Sequence, residues 1–193
     1  MFHKSEYLNI KIFLLFFGVS VWDKGLDYEN TYKLLFQKAL KGKREKERVY
    51  SFILLIQLRN GCRISESIKA YKQWFLTGKK ELIVTVSKTK NKKERKIIIP
   101  DFPNYDLVKY PQIIEINDKT LRERIRTFCQ RTFKFNTHSL RYSFITYLLK
   151  NGVNPSIISK ITKHSKLDYI LTYTQEKSAE DVLRNLDGGL NEI

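Results

Sequence analysis

The sequence predicts an α+β domain, mainly α, with a small antiparallel β-sheet. Apolar residues recur at helical spacing in several windows, each bounded by recognisable start and stop residues. One window alternates in and out instead, and a second apolar run follows it across a lysine-rich connection, the pattern of a hairpin. At 193 residues and 42% hydrophobic, the chain can bury one core but not two full domains.

The opening stretch "NIKIFLLFFGVSVW" is apolar after Lys11, but its uninterrupted run falls short of the ~20 residues needed to cross a bilayer. No small-residue exit precedes Asp23 and Lys24, as a secretory leader would require. It reads as a helix packed on the domain, and the expected setting is cytoplasmic, at the nucleoid or inside a virus-infected cell, with no membrane partner. From Glu47 to Leu58, Val49, Phe52, Ile53 and Ile56 mark a buried helix face, and Asn60-Gly61 supplies the stop. Arg63 then falls just past a helix end. A shorter helix is expected to start near Ser65, whose hydroxyl can cap it while Ile64 and Ile68 face inward.

"ELIVTVS" places Leu82, Val84 and Val86 on one face, and "KIIIP" returns as the second strand. Lys88 lies where the first strand enters the turn. "DKTLRERIRTFCQRTF" sets Leu121, Ile125, Phe128 and Cys129 on one helical face behind an Asp118 cap, leaving a basic outer face. "THSLRYSFITYLLKNG" follows with Thr137 as cap, Leu140, Phe144, Tyr147 and Leu148 inward, and Asn151-Gly152 as exit. His138 and Arg141 become neighbours three apart in its first turn. "NPSIISKITKHS" has Asn154 as cap and Pro155 at the first helical position, and ends close to His164. Ser178-x-x-Asp181 opens a terminal helix carrying Val182, Leu183 and Leu186, closed by Gly188-Gly189.

Thirty-six Lys and Arg against 20 Asp and Glu give a formal charge of +16, which favours a polyanionic partner: DNA, RNA or an acidic membrane. Cys62 and Cys129 lack C-x-x-C spacing and suit a reducing compartment, and with the three histidines they make no zinc ligand set. Two arginines and one or two histidines converging near a tyrosine would suit attack on a phosphodiester. Arginine offers phosphate a rigid bidentate fork that lysine cannot copy. A phenol with pKa near ~10 is only about 0.1% ionised at pH 7, so a tyrosine nucleophile needs a base or a strongly positive site.

"NGCRISESIKAY", "TVSKTKNKKERKIIIP", "HSLRYSFITYLL" and "ITKHSKLDYILTY", in this order, resemble the catalytic boxes of the tyrosine recombinase family, the phage-integrase type. The likeness runs from about Asp27 to Thr174. It implies the tyrosine recombinase catalytic-domain fold and a site-specific recombinase or integrase that cleaves and rejoins DNA through a 3′-phosphotyrosine. Carried over by position, it implies that Arg63 and Arg141 hold the scissile phosphate and that Glu66 orients Arg63. His138 assists proton removal, His164 contacts the phosphate, and Tyr173, nine residues after His164, is the nucleophile, with Tyr169 its competitor.

In this family a lysine at the strand-to-turn junction protonates the leaving 5′-oxygen. Lys88 is the better match and Lys90 the rival. Lys90, Lys92, Lys93 and Arg95 form the expected DNA-binding hairpin. No metal and no cofactor enter this scheme. The expected partners are double-stranded DNA and further copies of the chain, assembling on DNA as a tetramer across synapsed sites.

The chain departs from the family pattern in three places. Tyr142 stands where many members have a second histidine, and "TKHS" replaces L-G-H-S. Residues 1–26 form only a short N-terminal extension in place of the helical core-binding domain, and 27–193 are read as the catalytic domain with its C-terminal helix. The chain therefore resembles a compact integrase of a virus, plasmid or other mobile element, an archaeal one included. Two other readings remain: a truncated accessory factor that binds DNA without cutting it, and a type IB-like topoisomerase.

Overall fold

The computed structural model describes residues 25–86 and 93–163. The opening apolar stretch, Lys88, Lys90, Lys92, His164, Tyr169, Tyr173 and the helix expected after Ser178 lie outside these residues. Helix α1 (Tyr28–Lys41) starts on Asp27, whose carboxylate accepts from the Asn30 N–H at 2.8 Å. Helix α2 (Glu45–Asn60) is the centre of the molecule and packs against α1, α3 (Ile64–Thr77) and α6 (Thr137–Lys150). The sequence face Val49, Phe52, Ile53 and Ile56 is buried, but so are Leu54, Leu55 and Leu58, so the helix is apolar nearly all round. Each such side chain contributes about 1.5–3 kcal/mol on burial, which makes α2 the main source of core stability.

Strands β1 (Glu81–Thr85) and β2 (Glu94–Ile98) pair antiparallel, with Glu81 opposite Ile98 and Thr85 opposite Glu94. The Val86 N–H donates to the Lys93 carbonyl at 2.8 Å, so the ladder runs on toward the lysine-rich connection. Leu82, Val84 and Val86 face the core as the alternation predicts. A 3₁₀ turn (Tyr105–Val108) and a single-turn α4 (Gln112–Glu115) lead into α5 (Asp118–Phe133), then α6 and α7 (Pro155–Thr162). Phe144, Ile145 and Ile158 form a second apolar cluster that holds α7 on α6, with Tyr28 of α1 packed against it.

The stop at Asn60-Gly61 and the start at Asn154-Pro155 fall where the sequence puts them. Three caps shift. Asn136 rather than Thr137 caps α6, accepting from the N–H groups of His138 and Ser139 at 2.8 and 3.1 Å. Asn117 rather than Asp118 caps α5, accepting from the Lys119 N–H at 2.9 Å. Arg63, not Ser65, is the N-cap of α3, and Glu66 reaches back to its N–H at 3.2 Å. In each case an amide or carboxylate spans the first turn better than the hydroxyl or the residue inside it. Helix α1 had no counterpart among the predicted elements. Among the described residues no helix is long and apolar enough to cross a membrane.

Asn60 ties the helical core to the sheet. Its side-chain amide donates to the carbonyls of Ile56 and Ile98, and its side-chain oxygen accepts from the Ile98 N–H, all at 2.9 Å. Gly61 follows in the left-handed region at φ 54°, pressed against the Phe144 ring.

Candidate active site

Two helix starts and one helix end meet here. The turn Asn60–Arg63 closes α2 and opens α3, while the start of α6 is pinned beside it because the buried Gln57 donates its amide to the Thr137 carbonyl at 2.8 Å. An open cleft between them is lined by Gln57, Arg63, Ile64, Ser65, Arg122, Arg126, Asn136, Thr137 and His138. Arg63 and His138, far apart in sequence, therefore share one wall. Both stand in the first turn or at the cap of a helix, where the backbone dipole favours an anion. Arg122 and Arg126 come from the basic outer face of α5, which the fold brings beside Arg63.

Beneath the cleft the charges are buried. Glu66 is 0% exposed and accepts on Oε1 from an Nη of Arg63 at 3.2 Å. Its Oε2 accepts from the Arg63 N–H at 3.2 Å and from an Nη of Arg95 at 3.4 Å. Arg63 itself keeps 28% of its side chain exposed, so it is oriented without being sealed off. Arg141 is 1% exposed and donates to the carbonyls of Gly61 at 2.9 Å and Thr162 at 2.8 Å. Burial, then the nearby charges of Arg63 and Arg95, push its pKa down to about 10. It remains cationic at neutral pH. The groups acting on it are the Arg63 and Arg95 guanidiniums, the Glu66 carboxylate and, least of these, the Cys62 thiol, which is neutral at this pH, so a positive excess remains.

Arg95 corrects the sequence reading. Grouped there with the hairpin lysines as a DNA contact, it is 3% exposed and turned inward, donating to Glu66 and to the Asn60 carbonyl. Strand alternation is the reason: Arg95 lies on the face of Ile97 and Ile99, opposite Val84. Lys93, by contrast, is exposed. His138 is exposed as well, with the Tyr142 ring edge-on to it at a centroid separation of 4.7 Å. Tyr142, which replaces a histidine of the family pattern, thus serves as a side wall for His138.

Cys62 sits inside this turn, fully buried, and burial raises its thiol to about 12; Cys129 is raised to about 12 in the same way. At pH 8 the thiolate fraction is negligible, so neither cysteine should react with iodoacetamide until the protein unfolds. Intact-mass measurement should show no adduct under native conditions and two in denaturant; a native single adduct would contradict the burial.

Fold and site together define a mainly helical α+β domain with an arginine cluster suited to an oxyanion, the class of the tyrosine recombinase catalytic domain. The chain belongs to the phage integrase family, whose profile matches residues 28–180. It is 42% identical over 168 residues to ORF241 of Acidianus two-tailed virus, an integrase by name, covering 86% of this chain and 68% of that one. It is 32% identical over 198 residues to MJ0770 of Methanocaldococcus jannaschii, an uncharacterised protein, covering 86% and 88%. In fold it resembles the XerA recombinase, with TM-score 0.52 at 20% identity over 96% of this chain and 75% of that one. It also resembles the XerH site-specific recombinase bound to its difH substrate, with TM-score 0.51 at 22% identity. There it covers 81% of this chain but 51% of that one, so the chain spans about half the length of XerH.

Proposed function

We propose that this chain is a DNA strand transferase of site-specific recombination, acting through a 3′-phosphotyrosine. The observation that carries the reading is the shared cleft of Arg63 and His138, backed by the buried positive excess of Arg141 and Arg95. A scissile phosphate in that cleft meets the Arg63 fork and the start of α6. The Tyr173 phenol oxygen attacks phosphorus, His138 assists removal of its proton, and the bond to the 5′-oxygen breaks. Lys88, or Lys90 if the turn is registered from its far side, gives the leaving oxygen its proton, and His164 supports the phosphate. Reversal with a different 5′-hydroxyl rejoins the strands.

Arg141 enters with both terminal nitrogens on carbonyls. A guanidinium carries five N–H donors, so these two bonds leave further donors of Arg141 for a phosphate oxygen. The exposed lysines and arginines supply phosphate contacts, so binding weakens steeply with salt. Assembly of several copies on DNA belongs to the same reading.

Incubation with nicked duplex carrying the element's own attachment region should trap a protein-linked 3′ end with wild type and none with Tyr173→Phe. A wild type that binds such DNA yet never forms the link is a binding module, and the enzymatic reading fails.

A further inference from the structure

We infer that Arg95 is a positioning residue for Arg63, so that the β-hairpin and the phosphate clamp are aligned by one buried ion network; this rests on the strand-transfer reading. Two carboxylate oxygens of Glu66 are divided between partners: Oε1 serves Arg63, while Oε2 serves Arg95 and the N–H that caps α3. With Arg95 in place, Glu66 needs only part of the Arg63 guanidinium. Without it, a fully buried carboxylate must draw Arg63 further inward for its counter-charge, away from the cleft.

Arg95 also reaches the Asn60 carbonyl while Arg141 holds that of Gly61, so consecutive carbonyls at the end of α2 are each capped by a guanidinium. One cap comes from β2 and the other from α6. The turn carrying Arg63 is thereby fixed to the strand that leads back to the lysine-rich connection. Lys93 immediately precedes β2, two residues before Arg95, and its carbonyl accepts from the Val86 N–H, so a shift in β2 register would disturb Arg95 and the start of the lysine-rich connection together.

Stability is a poor explanation for this residue. The Nε of Arg95 is buried and has no hydrogen-bond partner among the described residues, a cost that an apolar side chain would not carry. Replacing the whole buried charge network with packed apolar groups is often neutral or stabilising, whereas removing one member alone leaves the others uncompensated.

The test compares Arg95→Met, Arg95→Lys and the double variant Arg95→Met/Glu66→Gln with wild type. Single-turnover covalent-complex formation is measured at saturating nicked duplex, alongside the Kd for DNA and the melting temperature. Arg95→Met should cleave about 100-fold more slowly, the size of effect expected from a misplaced clamp. Its affinity should stay near wild type, while its melting temperature should fall, because the buried Glu66 carboxylate and the Asn60 carbonyl each lose a partner; the rate is therefore read on folded protein well below that temperature. Removing the Glu66 charge in the double variant should recover about tenfold of that loss, because the carboxylate no longer pulls on Arg63.

Should Arg95→Met not fold, Arg95→Lys carries the test: its single ammonium reaches Glu66 or Asn60 but not both, and cleavage should drop by about tenfold at unchanged affinity. Wild-type cleavage by the folded Arg95 variant overturns the inference, as does a loss that Glu66→Gln fails to relieve. If wild type itself never forms the covalent complex, the strand-transfer reading falls and takes the inference with it, an outcome distinct from either.

Discussion

Arg63→Lys is expected to slow strand cleavage by about 100-fold or more while leaving the fold and DNA affinity near wild type. Lysine keeps the charge and can still pair with Glu66, so the buried carboxylate retains two cationic neighbours. What disappears is the planar fork. In wild type, one edge of the guanidinium is turned to Glu66 while 28% of the side chain remains exposed beside the cleft, an arrangement that lets one group face a carboxylate and a phosphate together. A single ammonium cannot satisfy both. Single-turnover formation of the covalent complex on nicked duplex measures the rate, and circular dichroism checks the fold; an unchanged rate would mean that Arg63 is only a helix cap.

Gly61→Ala should destabilise the protein by about 2–4 kcal/mol, from left-handed backbone strain and overpacking together. The φ of 54° is unfavourable for any side chain, and a Cβ there would lie 2.7 Å from Cε1 of Phe144 and 2.9 Å from Cγ. Gly78 provides the control. It has the same hand of backbone at φ 69° but nothing within 4 Å of a built Cβ, so Gly78→Ala should cost only about 1–2 kcal/mol. The difference between the two, read from denaturant midpoints, isolates the clash. If both variants lose the same stability, Phe144 moves aside freely and the turn is less tightly held than its packing indicates.

Much of the scaffold is legible in the residue pattern because local rules and burial agree there. Asn60-Gly61 ends α2 where glycine alone fits the left-handed cap, and Leu82, Val84 and Val86 alternate into the core. The caps drift by one or two residues where two polar candidates adjoin, as Asn136 and Thr137 do, since side-chain reach decides between them. Helix α1 is amphipathic, with Leu35 and Ala39 buried and Asp27 as its cap, so its signal is present in the sequence, ahead of the catalytic boxes.

The site was legible as a set of residue types but not as a placement. Arg63 and His138 come to one cleft only because Gln57 pins α6 to α2, a contact spanning 80 residues that no local pattern carries. Arg95 illustrates the opposite failure. Its parity with Ile97 and Ile99 already pointed inward, and the surrounding run of lysines obscured that signal. Arg122 and Arg126 were visible as a basic helical face, yet nothing in the sequence says that this face borders Arg63.

The Asn60 amide has one more consequence. In the β1–β2 register the backbone groups of Ile98 point away from β1, toward the side where a further strand would add. Asn60 occupies both of them with a single side chain, acting as a one-residue substitute for that strand. The sheet is thereby shielded at this point against edge-to-edge joining with other hairpins, a safeguard against aggregation in a protein whose proposed work gathers several copies on one stretch of DNA.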